Sequence, residues 1–306
     1  MMLEKLKKIE NRALTIGMVA NLFMAVSGWF TFYLSNSEAM LLDANFSFII
    51  FLSSIVALEI AKVKGRETDA FPYGLYVIES LYSLTKGLLI GGLLLAAITG
   101  NLIKIIDYFT GAELPVLKTD AILVYAVVMA VVCFSLSLYY YLMNRKVNNE
   151  SSMLGVEQSS AIIDGVMSAG TGIALLLIGQ ISIDSSFSFL LYIGDALMVL
   201  LLASLMIKQP VQIIRSAFFE IAGGRLQDKL SCNNIEKNID VYLQEFNLEK
   251  KSFFVNRTGS CYFVAIEVSI DRIKILKEFS IVEVKDYIQS ELRQQYSNIY
   301  VEFILL

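Results

Sequence analysis

A chain of 306 residues that is 56% hydrophobic and only 18% charged, with a mean hydropathy of +0.62, lies outside the range of soluble domains and points to membrane insertion. The net charge of -4 gives no sign of a nucleic-acid partner, and the complete lack of histidine excludes imidazole-based zinc ligation, base catalysis and proton shuttling near neutral pH. Cys133, Cys232 and Cys261 are scattered and without CxxC spacing, so neither a disulfide framework nor a thiolate metal site is supported.

Residues 1–12 form a short basic amphipathic segment, with Lys5, Lys7, Lys8 and Arg12 among Leu3, Leu6 and Ile9. The apolar run that follows is too long for a signal-peptide core and no small-residue cleavage site comes after it, so an uncleaved first span is expected. Six runs reach the roughly 20 apolar residues that a bilayer-spanning helix requires: 13–35, 39–61, 76–103, 118–143, 155–178 and 187–207. Lys and Arg gather on the N-terminal segment and after spans 2, 4 and 6 (Lys62, Lys64, Arg66; Arg145, Lys146; Lys208, Arg215). The opposite side holds only Lys104 and Lys118. By the positive-inside rule both termini are expected in the cytoplasm.

Span 2 contains Asp43, Asn45 and Ser47; span 5 contains Ser160 and Asp164. A central Asp costs about 2.5 to 3.5 kcal/mol to insert, so an ionised one must face a partner, a cavity or a bound cation. Asp43 with Ser47, and Ser160 with Asp164, stand four residues apart, each pair on one helix face, and the two faces could meet. Asn45 lies about 200° around the helix from Asp43 and is not expected at the same point. Asp43 is also near the outer end of its span, where an interfacial carboxylate is the alternative, and the two serines serve equally as small packing residues. Lys86 in span 3 either pairs with these acids or snorkels toward Glu79 or Glu59. Asp195 is expected to face water or a polar neighbour; Trp29 and Tyr139-Tyr140-Tyr141 fit interface or packing roles. Gly165, Gly170 and Gly172 mark a tight helix contact.

After Pro210 the long apolar runs end and a second domain begins. A connecting helix over 211–226 closes at Gly223-Gly224. There follow a helix at 233–246, strands at 252–256 and 262–270 joined by the turn Arg257-Thr258-Gly259-Ser260, a helix over 281–296 capped by Ser280 and Glu283, and a strand at 300–305. Glu267, Asp271 and Glu302 read as a solvated sheet edge, with a regulatory cation the less favoured alternative.

The loop between spans 2 and 3 reads Phe71-Pro72-Tyr73-Gly74, then Glu79-Ser80-Leu81. With an Asp in span 2, this motif at span 3 and an Asp in span 5 followed by Gly165, Ser168 and Gly170, the whole chain resembles the cation diffusion facilitator family. The resemblance implies a polytopic helical membrane protein of six transmembrane helices (13–210) with a C-terminal cytoplasmic α+β ferredoxin-like domain (211–306). It implies a homodimer in the cell (inner or plasma) membrane that exports a divalent cation in exchange for protons, with no cofactor and no enzymatic activity. Carried over by position, the cation ligands are Asp43, Ser47, Ser160 and Asp164.

The sequence departs from the family pattern at three places: a second Asp is usual where Ser47 stands, His or Asp where Ser160 stands, and His at Phe71. Two carboxylates and two hydroxyls make an all-oxygen site, which suits Mn2+, Mg2+ or Ca2+ better than Zn2+, though Mn, Mg, Zn and Fe are not separated by sequence. Without histidine, Asp43, Asp164 or Glu157 would have to take up the proton. The alternative is a non-transporting relative whose decayed site serves a binding or regulatory role. No paired nucleophile and base supports a membrane enzyme.

Overall fold

The computed structural model describes residues 2–112, 114–115, 120–146, 152–182, 184–246, 248–268, 280–296 and 298–305. Lys118 and Asp271 lie outside the described residues. Six helices are long and apolar enough to cross a membrane. In chain order they are α1 (Met2–Ser35), α2 (Glu38–Val63), α3 (Val77–Phe109), α4 (Asp120–Arg145), α5 (Ser152–Gly179) and the run of α6 (Leu190–Met206) with α7 (Lys208–Ile221). α7 begins before Pro210 rather than after it, because a proline in the first helical turn removes an N–H that has no partner there anyway. The chain divides into two compact units, residues 1–56 with 88–210, and residues 57–87 with 211–306.

In the first unit the turn between α1 and α2 is written in its sequence. Ser35-Asn36-Ser37 ends one helix and starts the next: Asn36 takes φ +55°, the left-handed value asparagine tolerates, and the Ser37 hydroxyl accepts from the Met40 N–H at 3.4 Å. The Trp29 indole N–H donates to Asn45 Oδ1 at 2.9 Å, so Asn45 ties α2 to α1. α4 and α5 approach closely through small residues. A Cβ at Gly172 would stand 2.1 Å from Ala126 Cβ and one at Gly165 would stand 3.1 Å from Cys133 Cβ, whereas Gly170 meets nothing within 4 Å. Large apolar side chains such as Tyr33, Leu95, Val131 and Leu177 point outward, as lipid-facing positions should.

Asp195 of α6 is buried, 2% exposed. Its carboxylate accepts from the Ser37 hydroxyl at 2.6 Å, the Glu38 N–H at 2.6 Å and the Ala39 N–H at 3.3 Å. The Lys104 ammonium lies 3.9 Å away. The first amides of α2 have no intrahelical acceptors, and a carboxylate from another helix supplies them. Of the two surroundings that sequence allowed for Asp195, the polar neighbour is the one found.

In the second unit, α8 (Lys229–Glu245), β1 (Lys250–Thr258), β2 (Cys261–Val268), α9 (Ile281–Gln295) and β3 (Ile299–Leu305) give the αββαβ order of a ferredoxin-like domain. β1 pairs antiparallel with β2, and β3 lies parallel on the other side of β2. Ile235, Ile239 and Leu243 of α8 and Val284, Ile288 and Leu292 of α9 repeat every four residues, so each trio forms one stripe, and both stripes bury against Val255, Val264, Ile266 and Val301 of the sheet. Both helices are capped from their own sequence: the Asp228 carboxylate accepts from the Leu230 N–H at 3.0 Å, and Ser280 with Glu283 makes a reciprocal capping box.

Candidate cation site

Asp43 sits in the second turn of α2, its α2 neighbours Leu42, Ala44 and Phe46 buried. The Tyr125 phenol of α4, 4% exposed, donates to Asp43 Oδ2 at 2.6 Å. A charge-assisted O–H···O bond of this length is at the strong end of its class. Gly28 of α1 makes room for it, since a Cβ there would stand 3.0 Å from the Tyr125 oxygen and 2.7 Å from Ala44 Cβ. Among the described residues no other side chain donates to Asp43.

Asp43 and Ser47 of α2 and Asp164 of α5 line one cavity of about 50 Å3. That is room for a few water-sized particles. Ser168 and Thr171, the next turns of α5 on the Asp164 face, line it as well, and so do Tyr125 and Cys133 from α4. The rest of the wall is apolar and includes Met24, Met40, Met167 and Met206. Asp43 and Asp164 thus face the same cavity from two different helices. No donor to the Asp164 carboxylate is found among the described residues, so the two acids differ: one is held by a phenol, the other is not.

Ser160 is exposed and is not among the residues lining the cavity. A helix places positions four residues before and four after Asp164 on the same face, and here the lining follows the turn after it, through Ser168 and Thr171. Tyr125, Cys133 and the methionines carry no motif that sequence could single out, being ordinary apolar or aromatic residues of spans 1, 2, 4, 5 and 6. Ser47 is buried, 6% exposed. Glu157 is half-buried on α5, two turns before Asp164. Among the described residues no group of three or more His, Cys, Asp or Glu side chains could hold a metal ion. Any cation in the cavity therefore meets two carboxylates, hydroxyls and soft sulfur walls.

In the second unit the Pro-Tyr-Gly motif forms a turn of its own. Gly74, at φ +90°, donates to Phe71 O at 3.1 Å, while Tyr73 packs edge-on against Phe263 and Tyr300 with ring centres 5.6 and 4.9 Å apart. Glu79 is engaged on both oxygens, by the Lys64 ammonium at 2.7 Å and by the Ser260 N–H at 2.6 Å. Ser80 donates to Glu220 at 2.7 Å and accepts from the Gly259 N–H at 2.9 Å, and Arg257 reaches Glu220 at 2.7 Å. Both oxygens of Glu79 and of Glu220 are thus engaged within this unit. Burial pushes the Cys261 thiol up to about 12, with Arg293 opposing, so it stays protonated and does not supply a thiolate. Glu302 is exposed on the edge strand β3, as a solvated sheet edge would be, whereas Glu267 is half-buried on the central strand β2 and accepts from Ser252. Lys86 is half-buried on α3 and belongs to this unit.

No curated protein matches the chain. The model of the cation efflux transmembrane domain matches residues 14–222, more than half of the chain and all of its membrane-competent helices up to the end of α7. A match of that extent, on six apolar helices followed by an αββαβ unit, makes the chain a multi-pass membrane protein that transports cations, a member of the cation efflux (cation diffusion facilitator) family.

Proposed function

We propose that the protein exports a divalent cation in exchange for protons, and that the cation binds in the cavity between α2 and α5, on Asp43 and Asp164 with help from Ser47, Ser168 and Thr171. The observation that carries this reading is that two acidic side chains from different spans line one small cavity. Two carboxylates balance a divalent charge, and the low-dielectric surroundings make an uncompensated pair costly. When the cation leaves, the repulsion that it had screened favours proton uptake by the pair, which is the coupling an antiporter needs. The oxygen donors favour Mn2+ or Mg2+ over Zn2+, which would find no imidazole and, among the lining residues, only the thiol of Cys133. The distribution of Lys and Arg supports cytoplasmic termini in an inner or plasma membrane, and the family supports a homodimer.

Uptake into proteoliposomes across a panel of Mn2+, Mg2+, Zn2+, Fe2+ and Na+, with and without a pH gradient, tests the proposal. The wild-type protein should move at least one divalent ion with counterflow of protons, and the double variant Asp43→Asn, Asp164→Asn should not. Unchanged flux in the double variant overturns the site. A second reading, a relative that binds but does not transport, is favoured by the small number of acidic groups at the cavity. Divalent binding without flux in any arm would support it.

A further inference from the structure

We propose that Tyr125 is a specificity-determining residue: by holding Oδ2 of Asp43, it biases Asp43 toward ligation through one oxygen and so disfavours large cations such as Ca2+ against smaller ones such as Mn2+. The inference rests on the reading of Asp43 as a cargo ligand. The phenol is buried and 2.6 Å from Oδ2, a distance at which it orients the carboxylate and occupies one of the two lone pairs of that oxygen. Oδ1 is left as the oxygen without a donor among the described residues. Gly28 shows that the position of the phenol is built in, since any larger residue there would meet the Tyr125 oxygen.

Coordination chemistry gives the consequence. Ca2+ takes about six to eight oxygens at about 2.3 to 2.6 Å and commonly draws two from one carboxylate, whereas smaller divalent ions are satisfied by about six, with one oxygen from each ligand. The cavity supplies two carboxylates and the hydroxyls of Ser47, Ser168 and Thr171, so its capacity for a large ion depends on whether each carboxylate can give both oxygens. Asp164, without such a phenol, can; at Asp43 the Tyr125 hydrogen bond occupies one of the two lone pairs of Oδ2 and makes that oxygen the weaker donor of the pair. A residue that merely held the helices together would change the affinity for both ions alike, so the ratio of affinities is the informative quantity.

Equilibrium binding of Mn2+ and of Ca2+ to the purified full-length protein tests this in four forms: wild type, Tyr125→Phe, Gly28→Ala and Asp43→Asn. Tyr125→Phe should raise Ca2+ affinity relative to Mn2+ by about tenfold or more, the size of effect typical for groups that orient a metal ligand. Gly28→Ala crowds the phenol at 3.0 Å, along with Ala44 of α2 at 2.7 Å, without removing it and should shift the ratio in the same direction, which keeps the test decisive should Tyr125→Phe not fold. An unchanged ratio in whichever of these two variants folds, with Mn2+ binding lost in Asp43→Asn, overturns the role of Tyr125 and leaves the cargo site standing. Wild-type Mn2+ affinity in Asp43→Asn overturns the cargo site and this inference with it.

Discussion

Replacing Asp195 by alanine removes the acceptor on which the start of α2 hangs. Three donors then lose their partner: the Ser37 hydroxyl and the Glu38 and Ala39 amides, all in a region from which water is largely excluded. A lost N-terminal cap costs about 1 kcal/mol, and a negative charge at a partly buried helix N-terminus contributes up to about 2 kcal/mol more. Lys104 also loses its anion at 3.9 Å, although Glu38 remains as an opposite charge nearby. The sum is about 1 to 3 kcal/mol, which, at about 2.1 cal/mol/K of unfolding entropy per residue over 306 residues, corresponds to a fall of about 2 to 5 °C in Tm. Asp195→Asn keeps one acceptor and should lose about half as much. Thermal unfolding in a single detergent, followed with a thiol-reactive dye that reports the exposure of the three buried cysteines, measures both variants. The order wild type, Asn, Ala is required. An alanine variant within 1 °C of wild type, or an asparagine variant less stable than the alanine one, would refute the capping argument.

Two further predictions concern the second unit. Gly259 has φ +57°, and a Cβ there would stand 2.4 Å from Glu79 Oε2 and 2.5 Å from Tyr76 O, so Gly259→Ala combines left-handed strain with a clash, about 2 to 4 kcal/mol together. Cys261, two residues on and fully buried, should then react with a maleimide about tenfold faster or more, and an unchanged rate would show that the turn yields without opening. The Ser231 hydroxyl and the Leu230 amide hold the Asp228 carboxyl below its ordinary range, so its cap stabilises α8 at pH values above the unfolded carboxylate range and weakens as pH falls through the lower folded value. Hydrogen exchange in the first turn of α8 should accordingly be slower in wild type than in Asp228→Ala at pH 7, with the two converging in strong acid; a constant difference across that range would contradict the assignment.

Much of the architecture was legible because its signals are local. A bilayer demands about 20 apolar residues from each span, and that length is visible without any knowledge of packing. The αββαβ unit announces itself through the four-residue repeats of Ile235, Ile239 and Leu243 and of Val284, Ile288 and Leu292, through the turn at Gly259, and through the Ser280 and Glu283 caps. Edges shifted by a few residues, as at Pro210, because a proline that breaks a helix interior is harmless in a first turn.

The chemistry of the cavity divides differently. Sequence marked Asp43 and Asp164 because a charge in an apolar run needs a reason, wherever it points. It could not say that the lining would continue past Asp164 through Ser168 and Thr171 while Ser160 stayed outside. Both directions share one face of the helix, and only the placement of the neighbouring spans chooses between them. Nor could it find Tyr125, one aromatic among many in an apolar helix, whose importance comes from a carboxylate 82 positions away, or show that Asp195 ends on the amides of α2 rather than in water. Composition and periodicity thus determine which segments enter the membrane and which fold beside it. Which polar groups meet inside is a property of helices packed against one another, where a polar side chain buried far from water must be satisfied by whatever the fold brings within reach.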